Sequence, residues 1–127
     1  MKDEAKLWLD YARENLKSAK VLLTSDLYNP CLQNVQQAVE KMLKALLIEN
    51  SCKVKKTHSI TELRNILEIN GIYVNLTDEE CDFLDSIYLP SKYPVSNVLP
   101  YYESNNELCK KGISIAESLL NRLGTIP

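Results

Sequence analysis

The chain has 127 residues, of which 25% are charged and 45% hydrophobic, with three glycines and five prolines. That describes one ordinary domain, long enough to bury about two-thirds of its unfolded surface around a single core and too poor in glycine and proline for long disordered linkers. A net charge of −2 and a pI near 5.4 exclude a protein whose work is to coat DNA non-specifically, because that affinity comes from massed Lys and Arg.

Asp3 to about Thr24 predicts a first amphipathic helix, with Leu7 or Trp8, Ala12, Leu16, Ala19 and Leu23 on one face and Lys6, Asp10, Glu14, Lys17 and Lys20 largely elsewhere. Its opening, MKDEAKLWLDYARENLK, is studded with charge and lacks the apolar core of a secretory signal, so the expected location is the cytoplasm. No apolar run approaches the roughly twenty residues that span a bilayer, and no membrane is expected as a partner.

Asn29-Pro30 supplies an N-cap residue and a proline at the first helical position, which predicts a second helix from about Pro30 to Asn50, antiparallel to the first. Val35, Ala38, Val39, Met42, Leu43, Leu46 and Leu47 form its apolar stripe, while Gln33, Gln37, Glu40, Lys41 and Lys44 fall on the other side. Glu40 precedes Lys44 by one turn, the orientation of an i,i+4 ion pair worth about 0.3–0.5 kcal/mol when exposed. The other helices are expected to pack against this one.

Residues 51–57 read as a polar, basic loop leading to His58, the sole histidine. Ser59-x-x-Glu62 matches a capping box, and Ile60, Leu63, Ile66 and Leu67 continue as a short third helix that Gly71 ends as a left-handed C′ residue. Thr77-x-x-Glu80 repeats the signal for a fourth helix running to about Leu89. Residues 90–100 hold three of the five prolines and read as a loop without regular helix. A third capping box, Ser104-x-x-Glu107, opens a fifth helix with Leu108, Ile115, Leu119 and Leu120 on its apolar side. No stretch alternates with period two, so the fold class is all-α, an up-and-down bundle. The four cysteines, Cys31, Cys52, Cys81 and Cys109, lie too far apart for the paired spacing of a structural zinc site and read as free thiols, with no metal or other cofactor expected.

Three groups of residues are candidates for a site. From Lys41 to His58 five lysines face one acid, Glu49, and Lys53, Lys55, Lys56 and His58 adjoin a helix N-terminus; this reads either as a phosphate or nucleotide site or as a solvated loop with His58 bonded to a helix end. Tyr88, Lys92 and Tyr93 combine rings for base stacking with a cation for phosphate, or else pack in the core and anchor the proline-rich loop. Glu40, Lys41 and Lys44 either point into a cleft or across a dimer interface, or form a solvated face. None of these residues is assigned a catalytic role, and no P-loop, zincin helix or nucleophile elbow is present.

The order QQAVEKMLKALL, then KKTHSITEL, then SIYLPSKYP resembles the HEPN domain family, in its subgroup of small stand-alone bacterial and archaeal proteins. The resemblance runs from Trp8 to Ala116. It implies an antiparallel four-helix bundle with an additional short helix, a homodimer, a minimal nucleotidyltransferase as partner, association with nucleotide or RNA, and a place in a toxin–antitoxin pair. Ribonuclease members carry an Arg followed a few residues later by His; here the arginine before His58 is Arg13, 45 residues upstream, so that motif is absent. The tyrosine that partner nucleotidyltransferases modify in some pairs is also missing, its place taken by Ile60. Where relatives tend to have Arg-Tyr-Pro this chain has Lys92-Tyr93-Pro94, which keeps the charge and loses the guanidinium fork. Two functions follow: a nucleotide- or RNA-associated module working with a nucleotidyltransferase, without catalytic activity of its own, or a helical homodimer that recognises protein through its charged second helix.

Overall fold

The computed structural model describes residues 1–92 and 104–123, with the side chains of residues 89–92 left out. These residues form five helices, α1 (Asp3–Thr24), α2 (Tyr28–Glu49), α3 (Ile60–Ile69), α4 (Asp78–Lys92) and α5 (Asn106–Leu123), and among the described residues there is no strand. The all-α expectation holds.

Helix α2 is the centre, packed by each of the other four. Its Leu32, Val35, Met42, Leu43 and Leu47 are fully buried, each such side chain contributing about 1.5–3 kcal/mol by leaving water. Helix α1 lies along it through Ala5, Leu9, Ala12, Leu16 and Ala19, so the expected Ala12, Leu16 and Ala19 are core, while Ala5 and Leu9 stand where Leu7 or Trp8 was expected. Leu7 is 51% exposed, and Trp8 and Leu23 are only partly buried. Three small alanines let the two helices approach closely, which larger residues at those positions would prevent. On the far side, α5 buries Cys109, Gly112, Ile113, Ile115, Ala116, Leu119 and Leu123, whereas Leu108 and Leu120 are only partly buried. A Cβ on Gly112 would stand 3.1 Å from Val35 Cγ1, so glycine sets that helix spacing.

Three helices end in the same way. After α1, Asp26 (φ 58°) donates to Leu23 O and Leu27 donates to Leu22 O; after α2, Ser51 (φ 57°) donates to Ile48 O and Cys52 to Leu47 O; after α3, Gly71 (φ 80°) donates to Glu68 O and Ile72 to Leu67 O. These are Schellman ends, and the sequence marks only the one carrying glycine.

Several predicted boundaries shift. Helix α2 begins at Tyr28, so Pro30 sits at its third position, where the missing N–H is still harmless because the first four have no intrahelical acceptor. Thr77 and Glu80 form the full reciprocal capping box at 3.0 Å each. Ser59 caps Glu62 N at 3.1 Å, but the Glu62 carboxylate turns instead to Thr57 Oγ1 and Lys55. The expected box at Ser104 is replaced by Asn105, whose Oδ1 accepts from Leu108 N at 2.8 Å, while Ser104 Oγ donates to Asn29 Oδ1. Helix α4 continues through Pro90 to Lys92, beyond its expected end at Leu89. A proline so close to a C-terminus removes one ladder bond and leaves little helix to break.

Candidate functional site

Gln36, Glu40 and Lys44 recur every four residues along α2, and each is buried, at 1%, 4% and 8% exposure. The expected solvated face is therefore corrected for Glu40 and Lys44, because the helices packed around α2 close over both sides of it. Lys44 Nζ donates to Glu40 Oε2 at 2.9 Å and lies 5.7 Å from the Trp8 ring centroid. Gln36 Nε2 donates to Glu40 Oε1 at 3.3 Å and also to the His58 carbonyl at 3.3 Å, and Gln37 Nε2 in turn donates to Gln36 Oε1. A buried ion pair is a weak source of net stability, because desolvation offsets its attraction; losing one partner is what costs.

His58 completes the group. Its Nδ1 lies 3.1 Å from Glu40 Oε1 and 3.3 Å from Oε2, and its side chain is 54% exposed. A carboxylate only accepts, so this contact places a proton on Nδ1 and leaves Nε2 as the nitrogen that Glu40 does not engage. The Tyr88 ring stacks on the imidazole at 4.8 Å between centroids and 18° between planes.

The position of His58 is fixed from α4. Asp85 Oδ1 accepts from Ile60 N at 2.6 Å, and its Oδ2 accepts from Thr61 N at 3.2 Å and from Thr61 Oγ1 at 2.6 Å. One turn later on the same helix comes Tyr88. Asp85 thus ties down the start of α3 while Tyr88 covers the imidazole beside it. This changes the reading of the helix N-terminus, since the amides expected to hold an external anion already hold the Asp85 carboxylate and the Ser59 hydroxyl.

Of the other expected residues, Lys41 is half-buried, donating to Asn15 Oδ1 at 2.6 Å and lying 5.9 Å from the Tyr11 centroid. Lys55 pairs with Glu62, whose carboxyl is held below its usual range first by the Lys55 hydrogen bond and then by Thr57. Lys53 and Lys56 are exposed. The Lys92 side chain and all of Tyr93 lie outside the described residues. Glu40, Lys44, His58 and Tyr88 are therefore brought together, and Lys56 lies two residues from His58 on the exposed loop. Gln36 and Asp85 were missed. Gln36 stands in the Glu40–Lys44 register and could have been noticed there; nothing in the sequence joins Asp85 to a helix start 25 residues away.

All four cysteines are free, with Cys31, Cys81 and Cys109 buried. Burial pushes the Cys81 thiol up to about 11 and the Cys109 thiol to about 12. Among the described residues no group of three or more His, Cys, Asp or Glu is placed to hold a metal, and no helix is long and apolar enough to cross a membrane. What the arrangement offers is a half-exposed imidazole with a fixed tautomer, an aromatic neighbour and a lysine close in sequence. An imidazole nitrogen in that setting can accept a proton or, once protonated, donate to a phosphate oxygen.

Residues 5–126 match the family model described as HEPN domain. A Methanocaldococcus jannaschii protein named "Putative toxin MJ1304" is 38% identical over 63 residues, a match that covers 50% of this chain and 41% of that protein. Among solved structures, TT1696 from Thermus thermophilus superposes with a TM-score of 0.77 at 25% identity, covering 97% of this chain and 98% of that one. ST0689, described as an archaeal HEPN homologue, gives 0.72 at 26% identity, covering 98% and 97%.

Proposed function

Because this chain belongs to the HEPN domain family, we propose that it is a nucleotide- or RNA-associated module of a toxin–antitoxin pair, working with a minimal nucleotidyltransferase and not as a catalyst in its own right. The observation that carries the reading is the half-exposed His58 imidazole, held by buried Glu40 and stacked on Tyr88, with the exposed Lys56 two residues away in the chain. Phosphate meets the lysine and the imidazole; a base finds the Tyr88 and His58 rings. Lys44 and Glu40 neutralise each other and act as the frame that orients the imidazole. The similarity to a protein named as a toxin supports a place in such a pair. The missing Arg–His pairing of ribonuclease members argues for binding over cleavage.

Calorimetric titration with ATP, UTP and a short single-stranded RNA at two salt concentrations tests this. Saturable heat that weakens with salt and disappears in Lys56→Ala/His58→Ala is expected. Absence of heat from all three ligands in a folded protein overturns it. Expression of the chain alone should slow growth of the host, and co-expression of a nucleotidyltransferase partner should relieve it.

A second reading is favoured by a separate observation. Leu7, Tyr11 and Val21 on α1 are 51%, 49% and 60% exposed, an apolar set that suits a homodimer or another protein. Light scattering would find a dimer insensitive to salt, which Leu7→Glu/Tyr11→Glu breaks. Nucleotide binding would then be absent.

A further inference from the structure

Cys31 stands in the first turn of α2 and Cys109 in the first turn of α5, and both are fully buried. The two helices meet at this level. The Cys109 thiol donates to the Tyr28 carbonyl at 3.5 Å, one turn of α2 before Cys31, and it also hydrogen-bonds with the Cys31 thiol. One turn further along, Gly112 lies so close to α2 that a Cβ on it would stand 3.1 Å from Val35 Cγ1 and 3.6 Å from Leu32 Cδ2. The missing side chain lets α5 settle onto α2, and the sulfurs come into contact through that helix spacing.

A single buried cysteine is ordinarily a small apolar filler. Two that touch across a helix pair offer more. A disulfide needs Cα atoms about 4.4–6.8 Å apart. Helix axes about 8–10 Å apart, with Cα atoms about 2.3 Å from each axis, bring facing residues within that reach.

We propose that Cys31 and Cys109 form a redox-responsive clasp, in which an oxidant of the peroxide class converts the two thiols to a disulfide tying α5 to α2 and a dithiol reductant releases it. Peroxide takes one sulfur to a sulfenic acid with loss of water, and the facing thiol displaces a second water as the S–S bond forms. In sum the O–O bond breaks, each sulfur gives up one electron, and both thiol protons leave in the two waters. Burial holds the thiols protonated and unreactive while the helices are closed. The reaction therefore runs through opening of the first turns, since helix ends open more readily than helix interiors. The clasp lies apart from the imidazole cluster and does not depend on the reading given to it.

Incubation with hydrogen peroxide at neutral pH, followed by peptide mass spectrometry without reduction and by thermal melts, tests the proposal. The chain should lose two hydrogens in mass and yield a linked Cys31–Cys109 peptide pair. Its Tm should rise by about 10 °C, because the bridge constrains the unfolded chain across a long loop, and dithiothreitol should reverse both changes. Cys109→Ser and Cys31→Ala should each abolish the linked pair and the rise in Tm, and either variant serves if the other does not fold. Cys52→Ala should link as the wild type does. The proposal is overturned if both thiols survive the oxidant, if they accumulate as sulfinic or sulfonic acids, if either links mainly to Cys52 or Cys81, or if the linked protein melts where the reduced one does.

Discussion

Glu40 and His58 stand 18 residues apart in the chain and 3.1 Å apart in the fold, with the carboxylate buried beneath the half-exposed imidazole. The carboxylate also takes the Lys44 ammonium and the Gln36 amide, so its charge is shared among three partners. Whatever the imidazole meets outside, it meets it from a fixed position.

Removing the Glu40 charge should therefore be felt in stability before it is felt in binding. Glu40→Gln leaves Lys44 buried and unpaired and should cost about 3–5 kcal/mol. Pairing it with Lys44→Met should recover most of that loss, since an apolar replacement of a buried pair is often neutral. Urea denaturation of the two variants and the wild type checks both.

Asp85 should behave as a cap that happens to come from another helix. Asp85→Ala should cost about 1–2 kcal/mol, the upper part of the range for lost caps. Hydrogen exchange should accelerate first at Ile60 and Thr61, whose amides it holds. Unchanged exchange at those two positions would mean that the carboxylate is not their partner in solution.

Left-handed helix ends set the sign of two further substitutions. Gly71→Ala places a side chain at φ 80° and should destabilise by about 1 kcal/mol. Asp26→Gly relieves the same strain at φ 58° and should stabilise by up to about 1 kcal/mol, less whatever the 3.3 Å contact from Tyr28 Oη contributes. Thermal melts of the pair should move in opposite directions.

The buried thiols should answer to pH and to alkylation together. Iodoacetamide at neutral pH should label half-buried Cys52 well ahead of Cys31, Cys81 and Cys109, as read by peptide mass spectrometry. Folding holds protons on Cys81 and Cys109, raised to about 11 and about 12 from an ordinary 9.0. Their contribution to stability is thus fully present below about pH 9 and is lost as pH rises through 11 and 12. Denaturation midpoints should stay level from pH 7 to 8 and fall above about pH 9.

Much of the architecture was legible because it is written in short-range terms. The bounds of α1, the start of α3 at Ile60, the Thr77–Glu80 box and the left-handed Gly71 each depend on residues within a turn or two of one another. The readings that failed turned on neighbours brought from elsewhere. Ser104 looked like a cap and is bonded to Asn29 instead, and Leu7 or Trp8 looked like the first core residue of α1, where Ala5 and Leu9 stand. The charged side of α2 looked solvated because a single helix has no way to say how many others surround it.

By itself, then, the sequence determined an all-helical chain centred on Val35 to Leu47, the place of His58 at the head of a short helix, and the family, since spacing and end chemistry are local properties. Tertiary structure alone decided that Glu40 and Lys44 are buried, that Glu40 holds His58, and that Asp85 fills the start of α3. Those relationships join residues from different helices. Burial and hydrogen-bond satisfaction belong to the packed assembly and have no counterpart in the order of residues along the chain.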